Sequence, residues 1–132
     1  MTIKIQTERT DIPVEIGDLK FSFDTSDESI LEFRKKGEEV AEELKNIEIN
    51  EDDEEDEIIK RAKEILQTGF EIMLGKGAFE KIYDLSPSIA ICTSYFYQLS
   101  EAIYKELNDM GLTESQKEKA KKYLQNKNKK KK

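Results

Sequence analysis

Apolar and polar residues alternate along the first part of the chain and then change to a helical period. Residues 14–16 and 19–23 alternate singly, which places the apolar side chains of each segment on one face of a β-strand. Gly17-Asp18 between them is a two-residue hairpin signal. Residues 2–6 alternate in the same way. The pattern therefore predicts a small sheet of two or three strands, which needs a helix or a neighbouring subunit on its apolar face.

A helix is predicted directly after these strands. Ser26 or Asp24 can cap it, and the acidic Asp27 and Glu28 suit the N-terminal end of its dipole. Apolar residues then recur at three- and four-residue steps and form a stripe on one face. Gly37 lies within this stripe, and we expect it to let another backbone approach closely.

Further helices follow an acidic linker or helix start at residues 50–56. The second predicted helix ends at Gly75-Lys76-Gly77, because glycine takes the left-handed geometry of a helix end. Residues 78–83 are predicted to form one short helical segment. Ser86-Pro87 then signals the start of a helix over residues 87–108. This helix is the most apolar of the set, so we expect it to be the central core helix.

The whole pattern predicts a mainly α fold of four to five helices with a small N-terminal β-hairpin. We expect one domain over residues 1–111, with the hairpin in about residues 1–23 and the helical region in about residues 26–111. A capping box at residues 113–116 begins a weak last helix, and the lysine-rich remainder of residues 112–132 is expected to be disordered.

Composition narrows the function classes. The chain has 132 residues, a net charge of −7, a single cysteine and no histidine. Histidine is the commonest general base and metal ligand, so its absence argues against many enzymes. The single cysteine predicts an intracellular protein without an internal disulfide. We expect neither a signal peptide nor a membrane span. The acidic average argues against nonspecific nucleic-acid binding.

Few residues offer site chemistry. Cys92 lies in the most apolar predicted helix, and we expect a buried structural thiol. The acidic run of residues 50–57 lacks the glycine of a calcium loop, and Gly75-Lys76-Gly77 is too short for a phosphate loop. We therefore expect no catalytic residues, no metal and no cofactor. Tyr95-Phe96-Tyr97 cannot all face one way on a helix, so Tyr97 is expected to be exposed or to contact a partner.

Charge is distributed unevenly. Nearly every charged residue from Glu38 to Glu57 is acidic, with Lys45 as the exception, and nearly every charged residue from Lys117 to Lys132 is basic, with Glu118 as the exception. The two blocks either attract each other or are separately solvated. The lysine and asparagine codons at the end can also be written almost entirely in adenine, as at ribosomal slippery sites. On this hypothesis, the lysine-rich end records a constraint on the messenger RNA.

The junction Phe21-Ser22-Phe23-Asp24-Thr25-Ser26-Asp27-Glu28 carries a family resemblance, together with a charged helix, an acidic linker and a second helix closing in Gly75-Lys76-Gly77-Ala78-Phe79. Over about residues 12–110 the chain resembles the tail assembly chaperones of long-tailed bacteriophages, which are encoded just before the tape measure protein. Many such families make a longer product by programmed frameshifting, and the lysine-rich end adds to the resemblance.

The resemblance implies a non-enzymatic protein in the cytoplasm of the bacterial host, absent from the mature virion. Its implied partners are the tape measure protein and the tail tube protein, and homo-oligomerisation around the client would suit this role. An apolar surface with acidic outer faces could cover the apolar stripes of a long helical client. The candidate contact residues, each with a place in the core as its alternative, are Phe33, Phe70, Met73, Phe79, Tyr83 and Tyr97.

Two other interpretations stay open. A small acidic helical regulator, or an anti-host protein, would bind a host factor through residues 38–57, and a nucleic-acid mimic is one form of this interpretation. An enzyme is the other alternative, and a tightly bound metal or cofactor in the purified protein would support it.

Overall fold

The computed structural model describes residues 1–7, 10–49 and 54–111. Their elements in chain order are β1 (Asp11–Ile16), β2 (Leu19–Asp24), α1 (Asp27–Ile49), α2 (Glu55–Leu74), α3 (Ala78–Leu85) and α4 (Ile89–Asp109). The predicted mainly α fold with an N-terminal β-hairpin is confirmed. The chain divides into two compact units, Met1–Tyr97 and Gln98–Lys132. The predicted last helix and lysine-rich end lie outside the described residues.

The sheet of the first unit is a two-stranded antiparallel hairpin within the described residues. Gly17 has a φ of 58°, and no other residue of the turn has a positive φ, which matches the type II′ turn that the Gly17-Asp18 pair favours. Residues 2–6 are not a strand, although they share the alternating pattern. The optional third strand is therefore not formed within this chain.

Side-chain hydrogen bonds close the junction between β2 and α1. The backbone N–H of Ser29 donates to Ser26 Oγ at 3.3 Å, so Ser26 is the N-cap of α1. Asp24 Oδ1 accepts the backbone N–H of Ser26 at 2.9 Å, and Oδ2 accepts the hydroxyls of Ser26 at 3.1 Å and Ser29 at 3.0 Å. The Ser26 backbone bond, with the Ser29 hydroxyl second, holds the pKa of Asp24 below its ordinary value of 3.8. Both predicted caps therefore take part.

Helix α2 occupies the centre of the first unit, because it packs against α1, α3 and β2. The sequence predicted this place for the more apolar helix that follows Ser86-Pro87. A helix touched on several sides needs small residues as well as apolar ones, and α2 buries Ala62 and Gly69 beside its large side chains. The fully buried large side chains of this unit are Phe23, Phe33, Leu66, Phe70, Ile82 and Cys92.

The turns around α3 use glycine and serine. Gly75 ends α2 as predicted, but with a φ of 95° and an extended ψ of 170°; the left-handed geometry occurs instead at Gly77, which precedes α3 with a φ of 84° and a ψ of −4°. The start of α4 differs from the prediction. Ser88 is its N-cap, since Ser88 Oγ accepts the backbone N–H of Ile91 at 3.3 Å. Pro87 therefore lies one residue before the cap and not at the first position of the helix. Ser86 ends α3 instead, and its N–H donates to the Ile82 carbonyl at 2.9 Å.

The second unit begins within α4. Its described residues, 98–111, continue that helix to Asp109. Leu99, Ile103 and Leu107 recur at four-residue steps and are buried, whereas Tyr104 and Met110 are exposed. The C-terminal half of α4 is therefore amphipathic at the helical period.

Candidate partner-binding surface

One face of the hairpin carries only apolar side chains. The strand register pairs Ile12 with Phe23, Val14 with Phe21 and Ile16 with Leu19. Paired residues of an antiparallel ladder share a face, so these side chains form what we call the apolar hairpin face. The opposite face carries the pairs Glu15–Lys20 and Pro13–Ser22. The alternation of apolar and polar residues therefore places the apolar side chains on one face of the hairpin, as predicted.

Burial of the apolar hairpin face falls off away from the junction with α1. Phe23 is completely buried and lies edge-on to Phe33 of α1, with ring centroids 5.3 Å apart. The other members of the face are only half-buried; they are Ile12, Val14, Ile16, Leu19 and Phe21. Helices α2 and α3 pack against β2, yet they leave part of this apolar surface open to solvent. A half-covered apolar face is a typical site for a partner.

Leu85 extends this surface at the tip of the hairpin. It is the last residue of α3 and is 48% exposed. A β-carbon built on Gly17 would lie 3.1 Å from Leu85 Cδ2, which shows how closely the turn approaches this side chain. The exposed Asp18, Lys20 and Asp84 flank the tip. An apolar centre with a polar rim is the usual composition of a protein–protein interface.

Aromatic rings form a continuous row through the core of the first unit. Phe70 stacks on Phe79 at 6.0 Å between centroids and meets Phe96 edge-on at 5.9 Å. Phe79 contacts Tyr83 at 5.8 Å, and Phe96 contacts Tyr97 at 5.6 Å. The row therefore runs from Tyr83 through three buried phenylalanines to Tyr97. Both ends of the row reach solvent: Tyr83 is half-buried and Tyr97 is 41% exposed.

The predicted contact residues divide into accessible and buried ones. Tyr97 is exposed, as the sequence predicted for one of its three consecutive aromatics. Tyr83 is half-buried, with Lys63 Nζ 4.4 Å from its ring centroid, a cation–π arrangement. The remaining predicted residues are at most 6% exposed and occupy the core instead; they are Phe33, Phe70, Met73 and Phe79. These four reach a partner only if the core opens.

Gly69 is the residue of α2 whose importance the sequence did not signal. A β-carbon there would lie 2.6 Å from Phe96 Cε2 and 3.0 Å from Val40 Cγ1. Helices α1 and α4 therefore both approach α2 at this position. Such an approach was expected at Gly37, but a β-carbon added there would meet, among the described residues, only Phe33 of its own helix at 3.9 Å. That expectation was wrong, because periodicity does not reveal which neighbour faces a glycine.

The first turn of α4 contains the single cysteine of the chain. Cys92 is buried, as predicted, and its thiol donates to the Ser86 carbonyl at 3.2 Å. Burial raises the pKa of this thiol, which favours the unreactive protonated form. The Ser86 hydroxyl shares a hydrogen bond with the Tyr95 hydroxyl at 3.1 Å. These contacts fasten the first turn of α4 to the end of α3 and expose no nucleophile.

The outer face of α1 is acidic after Gly37. Glu38, Glu39, Glu42 and Glu43 are all exposed, and Lys45 follows them. Residues 50–53, which continue the acidic run, lie outside the described residues. In the part of the chain that the structure describes, no three residues of the metal-binding types cluster as a metal site would need. The helices described there are too short or too polar for any of them to cross a membrane.

Comparison with known proteins identifies one family. The profile of a family of unknown function, DUF6673, matches residues 17–132, so the chain belongs to this family. No curated protein and no solved structure matches the chain. The matched range begins at the hairpin turn and leaves out β1.

Proposed function

We propose that this member of the DUF6673 family is a non-enzymatic tail assembly chaperone of a long-tailed bacteriophage. It would bind the tape measure protein, and the tail tube protein, in the cytoplasm of the host and would leave before the virion is complete. A longer, frameshift-extended form would be made from the same start. The proposal rests on the resemblance at residues 21–28 and 75–79 and on the physical suitability of the surface described above.

The observation that carries the proposal is the half-covered apolar hairpin face with Leu85 at its edge. A tape measure protein is a long, largely helical chain with apolar stripes that need cover until the tail tube encloses them. An amphipathic helix that lies on this face would bury the open parts of Val14, Ile16 and Phe21 together with its own stripe. The acidic outer face of α1 would then keep the complex soluble.

The accessible members of the predicted contact set keep their proposed role. Tyr83 and Tyr97 offer aromatic surface at the two ends of the aromatic row, and aromatic residues are enriched in binding hot spots. Phe70 and Phe79 support Tyr83 from inside the core. Their contribution to binding would be indirect, through the position of that ring.

Co-expression tests the proposal. The long helical protein encoded downstream is produced alone, with this chain, and with its frameshift-extended form. We expect the client to be insoluble alone and to elute with this chain as a soluble complex in size-exclusion chromatography. A client that stays insoluble with both forms, while this chain elutes alone, would contradict the proposal.

A second candidate function is an acidic regulator that binds a host factor. The exposed Glu38, Glu39, Glu42 and Glu43 favour it, since they form one continuous charged surface on α1. Reversal of Glu38, Glu39 and Glu42 to lysine separates the two functions. The regulator would lose its partner, whereas a chaperone that uses the apolar hairpin face would still capture its client.

A further inference from the structure

The two edges of the hairpin differ in their capacity to accept another strand. The Thr25 backbone N–H donates to the Thr10 carbonyl at 2.8 Å, and this bond fixes which residue pairs exchange hydrogen bonds. Hydrogen-bonded and non-hydrogen-bonded pairs alternate along an antiparallel ladder. The hydrogen-bonded pairs are therefore Ile12–Phe23, Val14–Phe21 and Ile16–Leu19. The backbone groups of the intervening residues therefore point away from the hairpin.

On β1 the outward-pointing residues are Asp11, Pro13 and Glu15. Proline has no N–H, so the centre of this edge lacks a donor. On β2 they are Lys20, Ser22 and Asp24, which each present both a donor and an acceptor. Among the described residues, no hydrogen bond from outside the hairpin reaches the backbone of Lys20 or Ser22. The β2 edge is thus the one suited to strand addition.

The chain also carries a strand-like segment that belongs to no sheet. Residues 2–6 alternate Thr-Ile-Lys-Ile-Gln, yet Ile3 and Ile5 are 85% and 84% exposed. Among the residues that the structure describes, these are the highest exposures of large apolar side chains after Met1. The segment is nearly as long as the six-residue β2. Placed beside β2 with its isoleucines toward the helices, it would continue the apolar hairpin face.

Pairing within one chain is disfavoured on both edges. The β1 edge, which residues 2–6 would reach by a simple turn, has Pro13 at its centre. The β2 edge lies on the far side of β1 from residues 2–6. A connection from residue 6 to β1 would have to cross the hairpin at the end where the chain leaves β2 for α1. A second copy has neither obstacle, because its residues 2–6 approach from outside.

We propose that residues 2–6 of one copy add to the β2 edge of a second copy, and that the exchange is reciprocal across a twofold axis. The product is a dimer in which each sheet has three strands, the third supplied by the partner. Ile3 and Ile5 then lie on the apolar hairpin face beside Leu19 and Phe21. This inference does not depend on the proposed chaperone function.

Light scattering coupled to size-exclusion chromatography measures the mass of the full chain and of a variant without residues 1–7. We expect the full chain at twice its 15.3 kDa and the truncated chain at the monomer mass. Circular dichroism checks that the truncated chain keeps its helices, which it should, because the removed residues are all exposed. A monomeric full chain, or a truncated chain that still dimerises, would overturn the proposal.

Point substitutions locate the contact. Ile3→Lys and Ile5→Lys should each raise the dimer dissociation constant by about tenfold or more, since each removes a buried isoleucine from the interface. Lys4→Ser, on the opposite face of the segment, is the matched control and should leave the constant unchanged. Equal effects of all three substitutions would overturn the proposed orientation of the strand.

Proline substitutions identify the edge. Ser22→Pro removes an outward N–H from β2 without breaking the bonds to β1, and it should abolish the dimer. Glu15→Pro makes the equivalent change on the β1 edge, and the dimer should persist. A Ser22→Pro chain that folds and dimerises normally would contradict the assignment. If Ser22→Pro prevents folding, the truncated chain still decides the question.

Disulfide trapping separates exchange between chains from pairing within one. A Lys4→Cys chain and a Ser22→Cys or Lys20→Cys chain are mixed and oxidised, with Cys92 left in place because it is buried. We expect a cross-linked heterodimer that forms only in the mixture. A chain that carries Lys4→Cys and Ser22→Cys together and closes only on itself would overturn the exchange.

Discussion

Substitution of Gly69 by alanine tests the packing of the first unit most sharply. The new β-carbon would lie 2.6 Å from Phe96 Cε2, 3.2 Å from Phe96 Cδ2 and 3.0 Å from Val40 Cγ1. Both neighbours are buried, at 2% and 4% exposure, so neither can move into solvent. The side chain of Phe96 on α4, or the backbone of α2, must therefore shift to admit one methyl group.

Two opposing terms set the size of the effect. Alanine is favoured over glycine inside a helix by about 1 kcal/mol. An extra methyl group forced into a packed core costs about 1–3 kcal/mol. The free energy of unfolding of Gly69→Ala should therefore range from about its original value to about 2 kcal/mol lower, by the difference of these terms.

Gly37→Ala is the matched control on α1. Its β-carbon would meet only Phe33 at 3.9 Å, an ordinary contact, so the helix term acts alone. This variant should gain about 1 kcal/mol. Because the helix term is common to both variants, their difference isolates overpacking and should be about 1–3 kcal/mol.

Urea unfolding followed by circular dichroism gives both values. With a slope of about 2 kcal/mol/M, a 2 kcal/mol difference separates the two midpoints by about 1 M. A Phe96→Leu substitution should relieve part of the cost of Gly69→Ala, since it removes the ring edge that the methyl group meets. A Gly69→Ala variant as stabilised as Gly37→Ala would refute the proposed close packing at this site.

Other residues give further predictions. Ser26→Ala should lower the free energy of unfolding by about 1 kcal/mol through loss of the α1 cap, measured by urea unfolding. Asp24→Asn should also destabilise. Because the native pKa of Asp24 lies below 3.8, its deficit should be full above that pH and shrink as the pH falls through the native pKa, in a series of unfolding curves. Phe70→Ala should cost about 3–5 kcal/mol, because the ring is central in the aromatic row. Cys92 should react with a thiol reagent only as fast as the fold opens, so Gly69→Ala should accelerate labelling while Gly37→Ala slows it.

Local signals predicted the hairpin and the helix boundaries well. Alternation and Gly17-Asp18 located β1 and β2, because strand faces and turn geometry depend on neighbouring residues. The cap at Ser26 and the stop at Gly75 were predicted for the same reason. Helix α4 begins later than predicted, because Ser86, which has the side chain of a good N-cap, caps the C-terminal end of α3 instead.

Features that depend on distant residues were not predictable from the pattern. The apolar content of α4 favoured it as the central helix, yet centrality depends on how many elements surround a helix, and α2 holds that place in the first unit. Periodicity likewise could not distinguish Gly37 from Gly69. The aromatic candidates for partner contact were chosen by residue type, which does not reveal how buried each side chain is. Phe70 lies in the core, whereas Tyr97 reaches solvent.

The proposed partner surface can be tested by one matched pair of substitutions. Leu85 on α3 is 48% exposed beside the hairpin tip, and Leu31 on α1 is 49% exposed. Leu85→Asp and Leu31→Asp therefore make the same chemical change at equal exposure, and circular dichroism should show both variants folded. Leu85 approaches the hairpin turn at Gly17, whereas Leu31 is two residues from the buried Phe33 and therefore projects from the opposite side of α1.

The measurement is the amount of downstream helical protein that each purified chain retains in solution and captures. We predict full capture by the unsubstituted chain and by Leu31→Asp, and a loss of about tenfold or more in affinity for Leu85→Asp. Equal capture by the two variants would contradict the apolar hairpin face as the binding surface. No capture by any folded form, the frameshift-extended one included, would contradict the chaperone function itself.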